Sequence, residues 1–217
     1  MDNLEDYVIL PGRDYGRYTY PDLLVAQFSS KLSETFDECE EALWEKNSFN
    51  LTIRQYVDFL NLLIEREVYD GAGNKLDKMK VKAIAKDIFK KTRYPNPVCL
   101  DARFTKKGIF NKKWNITYNK IKDSGKLTAV TETIEESIDL DNKDTEMLDL
   151  NFWIANATYQ GLPPKTSEKG DELILFNPLE KSVAYFSSTE RNSYLILNAR
   201  PDFPCSDLRV RAAKIRE

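Results

Sequence analysis

Ser182-Val183-Ala184-Tyr185-Phe186, Leu195-Ile196-Leu197 and Leu208-Arg209-Val210-Arg211-Ala212-Ala213 are short apolar runs near the end of the chain. They are rich in Val, Ile, Leu and aromatic residues, and turn formers flank them, so they read as strands. The stretch between the second and third, Asn198 to Asp207, holds Pro201, Asp202, Pro204 and Ser206 and reads as a loop. Successive side chains of a strand point to opposite faces. Val183, Leu195, Leu197, Leu208 and Val210 are therefore the expected core positions, and their neighbours face outward. A surface carrying Tyr185, Arg191, Asn192, Tyr194, Arg200 and Phe203 combines stiff aromatics with adaptable polar groups, the chemistry of a binding paratope. The competing reading is burial of Tyr194 and Phe203, because aromatic side chains often fill cores.

Two further runs precede these, Phe152-Trp153-Ile154-Ala155 and Glu172-Leu173-Ile174-Leu175-Phe176, separated by Pro163-Pro164 and Gly170. The last third of the chain is thus expected to be all strand. Upstream, Ala102-Arg103-Phe104 and Trp114-Asn115-Ile116-Thr117-Tyr118 alternate polar and apolar residues and predict a hairpin.

The first half reads as helical after an extended, turn-rich opening through Tyr20 and Pro21. Leu23, Leu24, Phe28, Leu32 and Phe36 form an approximate helical stripe, whose far end, Glu34 to Glu45, is acidic. Thr52-Ile53-Arg54-Gln55 is a capping box, followed by Ile53, Tyr56, Val57, Leu60 and Ile64 at helical spacing, with an end expected near Asp70-Gly71-Ala72-Gly73-Asn74. That segment lacks the alternating acidic ligands of a calcium loop and reads as a turn. Residues 76–91 form a basic amphipathic helix: Val81, Ile84, Ala85, Ile88 and Phe89 line one side, and Lys75, Lys78, Lys80, Lys82, Lys86, Lys90 and Lys91 surround it. Tyr94-Pro95-Asn96-Pro97 breaks it. A solvated face explains the lysines better than a nucleic-acid surface.

Composition removes several functions. The 217 residues include no histidine, which excludes a Ser-His-Asp or Cys-His pair, an imidazole metal ligand and a histidine pH switch. Cys39, Cys99 and Cys205 form no CxxC pair and fit a reducing compartment. Neither GxGxxG nor GxxxxGK[ST] occurs. The net charge of −3 gives no global attraction to nucleic acid or anionic membranes. No stretch approaches the ~20 apolar residues of a membrane span, and the acidic N-terminus does not read as a secretory signal. Three N-x-T sequons, at Asn50, Asn115 and Asn156, read as chance matches. Residues 131–149 are strongly acidic and are expected to form a solvated surface excursion; Asp139, Asp141 and Asp144 lack the glycine of a calcium loop, so no metal is assigned to them. The expected organisation is one domain over 1–217, binding a ligand without catalysis and without a cofactor.

Two resemblances sharpen this. The helix Thr52-Ile53-Arg54-Gln55-Tyr56-Val57-Asp58-Phe59-Leu60 resembles a Thr-capped N-terminal helix of the formylglycine-generating-enzyme branch of the C-type lectin fold. Val183-Ala184-Tyr185-Phe186, Leu195, Pro201 and Leu208-Arg209-Val210-Arg211 look like the variable region of diversity-generating retroelement proteins, which runs from a V-A-x-F strand to an L-G-V-R closing strand. Leu10-Pro11-Gly12-Arg13 and Tyr20-Pro21-Asp22-Leu23-Leu24 are similar to archaeal and viral members of that group. Arg209 replaces the family glycine, which is harmless in an ordinary strand and strained if φ is positive.

The resemblance implies an α+β C-type lectin fold, with two or three helices flanking a twisted antiparallel sheet. Residues 183–217 would be the variable region, rewritten by adenine-directed errors of reverse transcription. The implied ligand-binding positions are Tyr185, Ser187, Thr189, Arg191, Asn192, Tyr194, Ile196, Asn198, Arg200, Asp202, Phe203, Cys205 and Asp207. The partner would be a protein or surface ligand. One alternative is a diverged binding or structural protein of the same fold that is no longer diversified. Another is an oxidase of the formylglycine-generating type, disfavoured because only Cys205 lies where that chemistry needs two nearby cysteines.

Overall fold

The computed structural model describes residues 3–33, 35–65, 67–89, 96–107, 113–122, 125–142 and 145–216. Glu34, Lys90, Lys91, the helix break at Tyr94-Pro95 and Asp144 of the acidic stretch lie outside them.

Among the described residues the protein is α+β, with four α-helices and mostly antiparallel sheets. In chain order these are β1 (Tyr7–Leu10), β2 (Arg13–Asp14), β3 (Thr19–Tyr20), β4 (Leu23–Ala26), α1 (Phe36–Trp44), β5 (Phe49–Asn50), α2 (Ile53–Glu65), α3 (Lys78–Ile88), β6 (Val98–Lys107), β7 (Lys113–Ile121), β8 (Leu127–Thr133), β9 (Glu146–Leu148), α4 (Leu150–Asn156), β10 (Leu173–Phe176), β11 (Ser182–Ser188), β12 (Ser193–Ala199) and β13 (Ala212–Ile215). One sheet has the order β1-β4-β13-β5, so the strand nearest the C-terminus is clasped between strands from the first fifty residues. The second runs β8-β7-β6-β11-β12-β10-β9, antiparallel except for the β10–β12 pair.

The helix over 53–65 forms as its capping box requires. Thr52 N–H donates to Gln55 Oε1 at 3.0 Å, and Gln55 N–H donates to Thr52 Oγ1 at 3.3 Å. Helix α2 stops at Glu65, one turn short of the glycine-rich segment expected to end it. Ile53 to Leu60 are all buried, polar residues included, as in a helix segment enclosed all round, whereas Ile64 of the expected apolar stripe is exposed in the last turn. Helix α3 matches the basic amphipathic pattern: Asp77 caps it, Val81, Ile84 and Ile88 are buried, and Lys78, Lys80, Lys82 and Lys86 stand in solvent.

Two expectations are overturned. Leu23 and Leu24 belong to a strand, and the helix begins only at Phe36. Leu23, Leu24 and Val25 of this inner strand are all buried, Leu23 and Val25 in the main core and Leu24 on the other face beside Gly71; a strand covered on both faces reads as a continuous apolar run and can pass for a helical stripe. Phe152-Trp153-Ile154-Ala155 is helix rather than strand. A four-residue apolar run does not distinguish the two by period; the deciding residue is Asp149, whose Oδ1 accepts the Phe152 N–H at 2.7 Å. Trp153 then buries its ring and donates from Nε1 to the Gly161 carbonyl at 2.9 Å. Gly161 is obligatory: its φ is +84°, and a Cβ there would sit 2.3 Å from the Arg54 nitrogen.

The acidic stretch is also more integrated than a solvated excursion. It begins inside β8, runs through β9 and ends at Asp149, the cap of α4, and between the two strands Ser137 and Leu140 are buried. Asp141 accepts from Trp114 Nε1 at 2.8 Å and pairs with Lys106. Asn50 and Asn115 of the sequons are buried.

At the centre of the sheet, Asp101 is buried and accepts from Asn119 N–H at 2.8 Å. Burial is the main reason its carboxyl is pushed up to about 7. A carboxyl whose folded value is raised contributes stability that is fully present below its unfolded value near 3.9 and is lost as pH rises through about 7. Three units correspond to on the order of 4 kcal/mol at full ionisation. Asp101→Asn is therefore expected to melt above the parent at pH 8 and close to it at pH 4. Parallel melting curves from pH 4 to 8 would show that Asp101 ionises without cost.

Candidate functional site

The hairpin β11–β12 and the loop after it carry twelve of the thirteen expected binding positions as hairpin or loop residues before Ser206, and Asp207 closes the set. The five expected core residues, Val183, Leu195, Leu197, Leu208 and Val210, are all fully buried. Along β12 burial alternates: Ser193, Leu195 and Leu197 point in, and Tyr194, Ile196 and Asn198 are half-buried on the opposite face.

Strand β11 behaves differently, because both its faces are covered. Ala184 and Phe186 enter the main core, where the Phe186 ring packs against Tyr56 and Trp153. Val183 and Tyr185 enter a second cluster built from Phe36, Cys39 and Leu43 of α1, Cys99 of β6, Leu208 and Val210. Tyr185 stacks on Phe36 with ring centroids 6.2 Å apart. The structure thus buries Tyr185 and Ser187, at 6% and 1% exposure, and removes them from the accessible surface. Alternation could not anticipate this, since it says which side chains share a face but not whether a helix lies over that face.

The remaining positions divide between the two ends of β12. At one end is the hairpin tip, Thr189 to Asn192, where Thr189 N–H donates to the Asn192 carbonyl at 2.9 Å and Asn192 Nδ2 donates to the Asp171 carbonyl. Arg191 is exposed there. At the other end is the loop 200–207. Arg200, Asp202, Phe203 and Asp207 are exposed, Phe203 at 65%, so its burial is ruled out; Cys205 is half-buried. The Pro201 carbonyl accepts the Phe36 N–H at 3.1 Å, satisfying one of the unpaired donors at the start of α1 and tying the loop down.

Tyr194 is partly covered, by Phe176 at a centroid distance of 6.4 Å. Register explains the contact and extends the patch. Met147, Ile174 and Tyr194 lie in one cross-strand row over β9, β10 and β12, and Phe176 and Ile196 lie in the next. Met147 is 47% exposed, and Ile174 and Phe176 are half-buried. These three were missed in the sequence, because the uniformly apolar Leu173–Phe176 run does not reveal an outward face and the parallel pairing of β10 with β12 is tertiary. A cleft of about 470 Å³ opens beside them, with Phe176 and Asn198 on one wall and Lys106, Trp114 and Asp141 on another. A larger cleft of about 1020 Å³ lies against β13, lined by Trp44, Phe49, Lys126 and Lys214, and contains none of the expected residues.

The Arg209 question resolves cleanly. Arg209 N–H donates to the Pro97 carbonyl at 2.8 Å, its carbonyl accepts from Cys99 N–H at 2.9 Å, and positive φ among non-glycine residues is confined to Asn47 and Lys181 among the described residues. An arginine is unstrained there. Among the described residues no group of three or more His, Cys, Asp or Glu is arranged to hold a metal ion. No helix among them is long and apolar enough to cross a membrane.

Comparison of the chain with protein-family models, with curated proteins and with solved structures finds no match.

Proposed function

We propose that this chain is a ligand-binding display protein on a C-type lectin scaffold, with a surface around β12 of the kind that a diversity-generating retroelement rewrites, and with no catalytic role. The observation that carries this reading is the alternation along β12. Leu195 and Leu197 anchor the strand in the core while Tyr194, Ile196 and Asn198 lie on the opposite face, between two exposed segments that hold most of the other variable-type positions. Tyr194 and Asn198 can change there without touching either hydrophobic cluster, whereas Ile196 packs against the edge of the second. Backbone hydrogen bonds fix both segments, so a ligand meets a surface that needs little ordering on binding. The accessible set becomes Thr189, Arg191, Asn192, Tyr194, Ile196, Asn198, Arg200, Asp202, Phe203, Cys205 and Asp207, extended by Met147, Ile174 and Phe176. Its ligand would be a protein or another surface epitope. A diverged scaffold that has ceased to be diversified has the same surface and differs only in its genome.

Arg191→Ala, Arg200→Ala, Asp202→Ala and Phe203→Ala are each expected to shift the melting midpoint by less than about 2 °C, as exposed substitutions do. Randomising Arg191, Tyr194, Asn198, Asp202 and Phe203 together should yield folded variants on yeast, among them binders selectable against an unrelated protein such as lysozyme. Loss of folding across that library would show the surface to be structural. A near-copy of the codons for 183–211, differing only at adenines and lying beside a reverse-transcriptase gene, would establish active diversification; a complete locus without either would leave the diverged binder.

A further inference from the structure

The two larger sheets end on β1, β5, β8 and β9. A sheet edge presents a row of N–H and C=O groups that invites another strand, and natural sheets protect it. Three of these edges are protected. Strand β9 has three residues and starts on Glu146, and β5 has two. Strand β1 is covered by the segment after α2: Ile9 N–H donates to the Tyr69 carbonyl and Gly71 N–H to the Tyr7 carbonyl, both at 3.0 Å. Strand β8 is different. It pairs with β7 over its full length without a bulge, and Leu127-Thr128-Ala129-Val130-Thr131 contains neither charge nor proline. Its bonding phase is fixed at both ends of the hairpin, where Lys122 N–H donates to the Lys126 carbonyl and Ile134 N–H to the Trp114 carbonyl, each at 2.9 Å. Alternate residues of an antiparallel strand bond to opposite sides, so Thr128, Val130 and Glu132 spend their backbone groups on β7, while Leu127, Ala129 and Thr131 aim theirs outward. Among the described residues nothing pairs with those outward groups. The next outward position is already taken, since the Thr133 carbonyl accepts from Gln160 Nε2 at 3.4 Å. The open edge therefore runs from Leu127 to Thr131, with Ala129 at its centre.

We propose that a second copy of this chain occupies this edge, β8 pairing antiparallel with β8 of the other copy about a two-fold axis at Ala129. An antiparallel strand pair is itself two-fold symmetric, so the edge is complementary to its own copy and the contact closes at a dimer. The open groups set the register. Ala129 faces Ala129 of the other copy and Leu127 faces Thr131, so every outward N–H and C=O of the run gains a partner. The same register brings exposed Lys126 directly opposite Glu132 of the other copy, and symmetry repeats the pair at the far end. Opposite charges facing each other across strands stabilise the pairing, and like charges oppose it. An axis at Val130 loses both features: Lys126 would face Ile134, and Leu127 would face Thr133, whose carbonyl is already bonded. Strand β12 is separated from β8 by β7, β6 and β11, so the dimer leaves both β12 surfaces free, and a target with repeated epitopes would meet two of them. The pairing itself does not depend on what β12 binds.

The test is sedimentation equilibrium of the full chain from low micromolar to millimolar concentration. The mass is expected to rise from one chain to two and no further. Ala129→Pro removes an outward N–H and no bond to β7, so it should fold as the parent does and stay at one chain throughout. Lys126→Glu sets like charges opposite each other at both ends of the pairing and should raise the dimer dissociation constant at least about tenfold. Disulfide trapping in a Cys205→Ser background reads the register. Under mild oxidation Ala129→Cys should cross-link to the same residue of the other copy well before Thr131→Cys, whose neighbour is Leu127. If Ala129→Pro does not fold, Lys126→Glu and the trapping decide. A single-chain mass at every concentration, growth beyond two chains, a dimer indifferent to Lys126→Glu, or faster trapping at Thr131 would each overturn the assignment.

Discussion

Arg211→Met is expected to lower the thermal midpoint by on the order of 10 °C. Arg211 is 1% exposed, and burial holds its pKa below the usual guanidinium value. Its charge is balanced by Asp87, 2.7 Å from Nη2, and its Nη1 donates to the Ala26 carbonyl at 2.8 Å and to the Gln27 carbonyl. The guanidinium also lies 5.3 Å from the centre of the Phe59 ring. This one side chain therefore joins the closing segment of the chain to the end of β4, to α2 and to α3. Methionine keeps much of the stem's packing but removes the guanidinium from beside Asp87, whose side chain is 9% exposed and to which Ser29 also donates, from N at 2.9 Å and from Oγ at 3.0 Å. Removing one partner of a buried pair costs about 3–5 kcal/mol, and each kcal/mol is worth roughly 2–4 °C in a domain of this size. Arg191→Met, at an exposed position, is the control. A shift of Arg211→Met no larger than that control would mean that water already reaches the pair.

Asp58→Ala should be of similar severity. The two carboxylate oxygens accept from Tyr15 Oη at 2.6 Å, from Tyr20 Oη at 2.6 Å and from Arg54 Nη2 at 2.8 Å, with both charged side chains 5% exposed. The tyrosine partners respond in turn: the Tyr15 hydroxyl is pushed up to about 12 and Tyr20 higher, by burial first and by Asp58 after it. Arg54 Nη1 donates to the Ala157 carbonyl at 2.9 Å and the Thr158 carbonyl at 3.2 Å, bridging α2 to the end of α4. Alanine leaves an arginine charge and two hydroxyls without their acceptor, again a loss of about 3–5 kcal/mol. The double variant Arg54→Met/Asp58→Ala should lose clearly less than the sum of the two single losses, because the stranded charge is gone. Strict additivity in chemical denaturation would show that Arg54 and Asp58 act independently.

These two clamps also mark how far the sequence could be read. Arg211 was legible only as a residue of the closing strand, and Arg54 and Asp58 only as polar positions on an amphipathic helix. Local rules assign a polar residue on such a helix to solvent, and only a helix enclosed by β1, β6 and α4 turns that assignment around.

The sequence by itself determined the elements whose signal is local. The capping box placed α2, the lysine-flanked stripe placed α3, polar–apolar alternation placed the β6–β7 hairpin, and the apolar runs placed β10, β11 and β12 with Val183, Leu195 and Leu197 in the core. Caps and alternation act over a few residues, so a few residues encode them. The tertiary structure decided what depends on covering and register. It made Leu23–Ala26 a central strand and, through Asp149, 152–155 a helix. It buried Tyr185 against α1 and closed over Ser187, brought Met147, Ile174 and Phe176 beside Tyr194, and gathered three dispersed cysteines at one cluster. Burial and adjacency are set by what packs on a face, and the partner on that face lies tens of residues away, where no local pattern registers it.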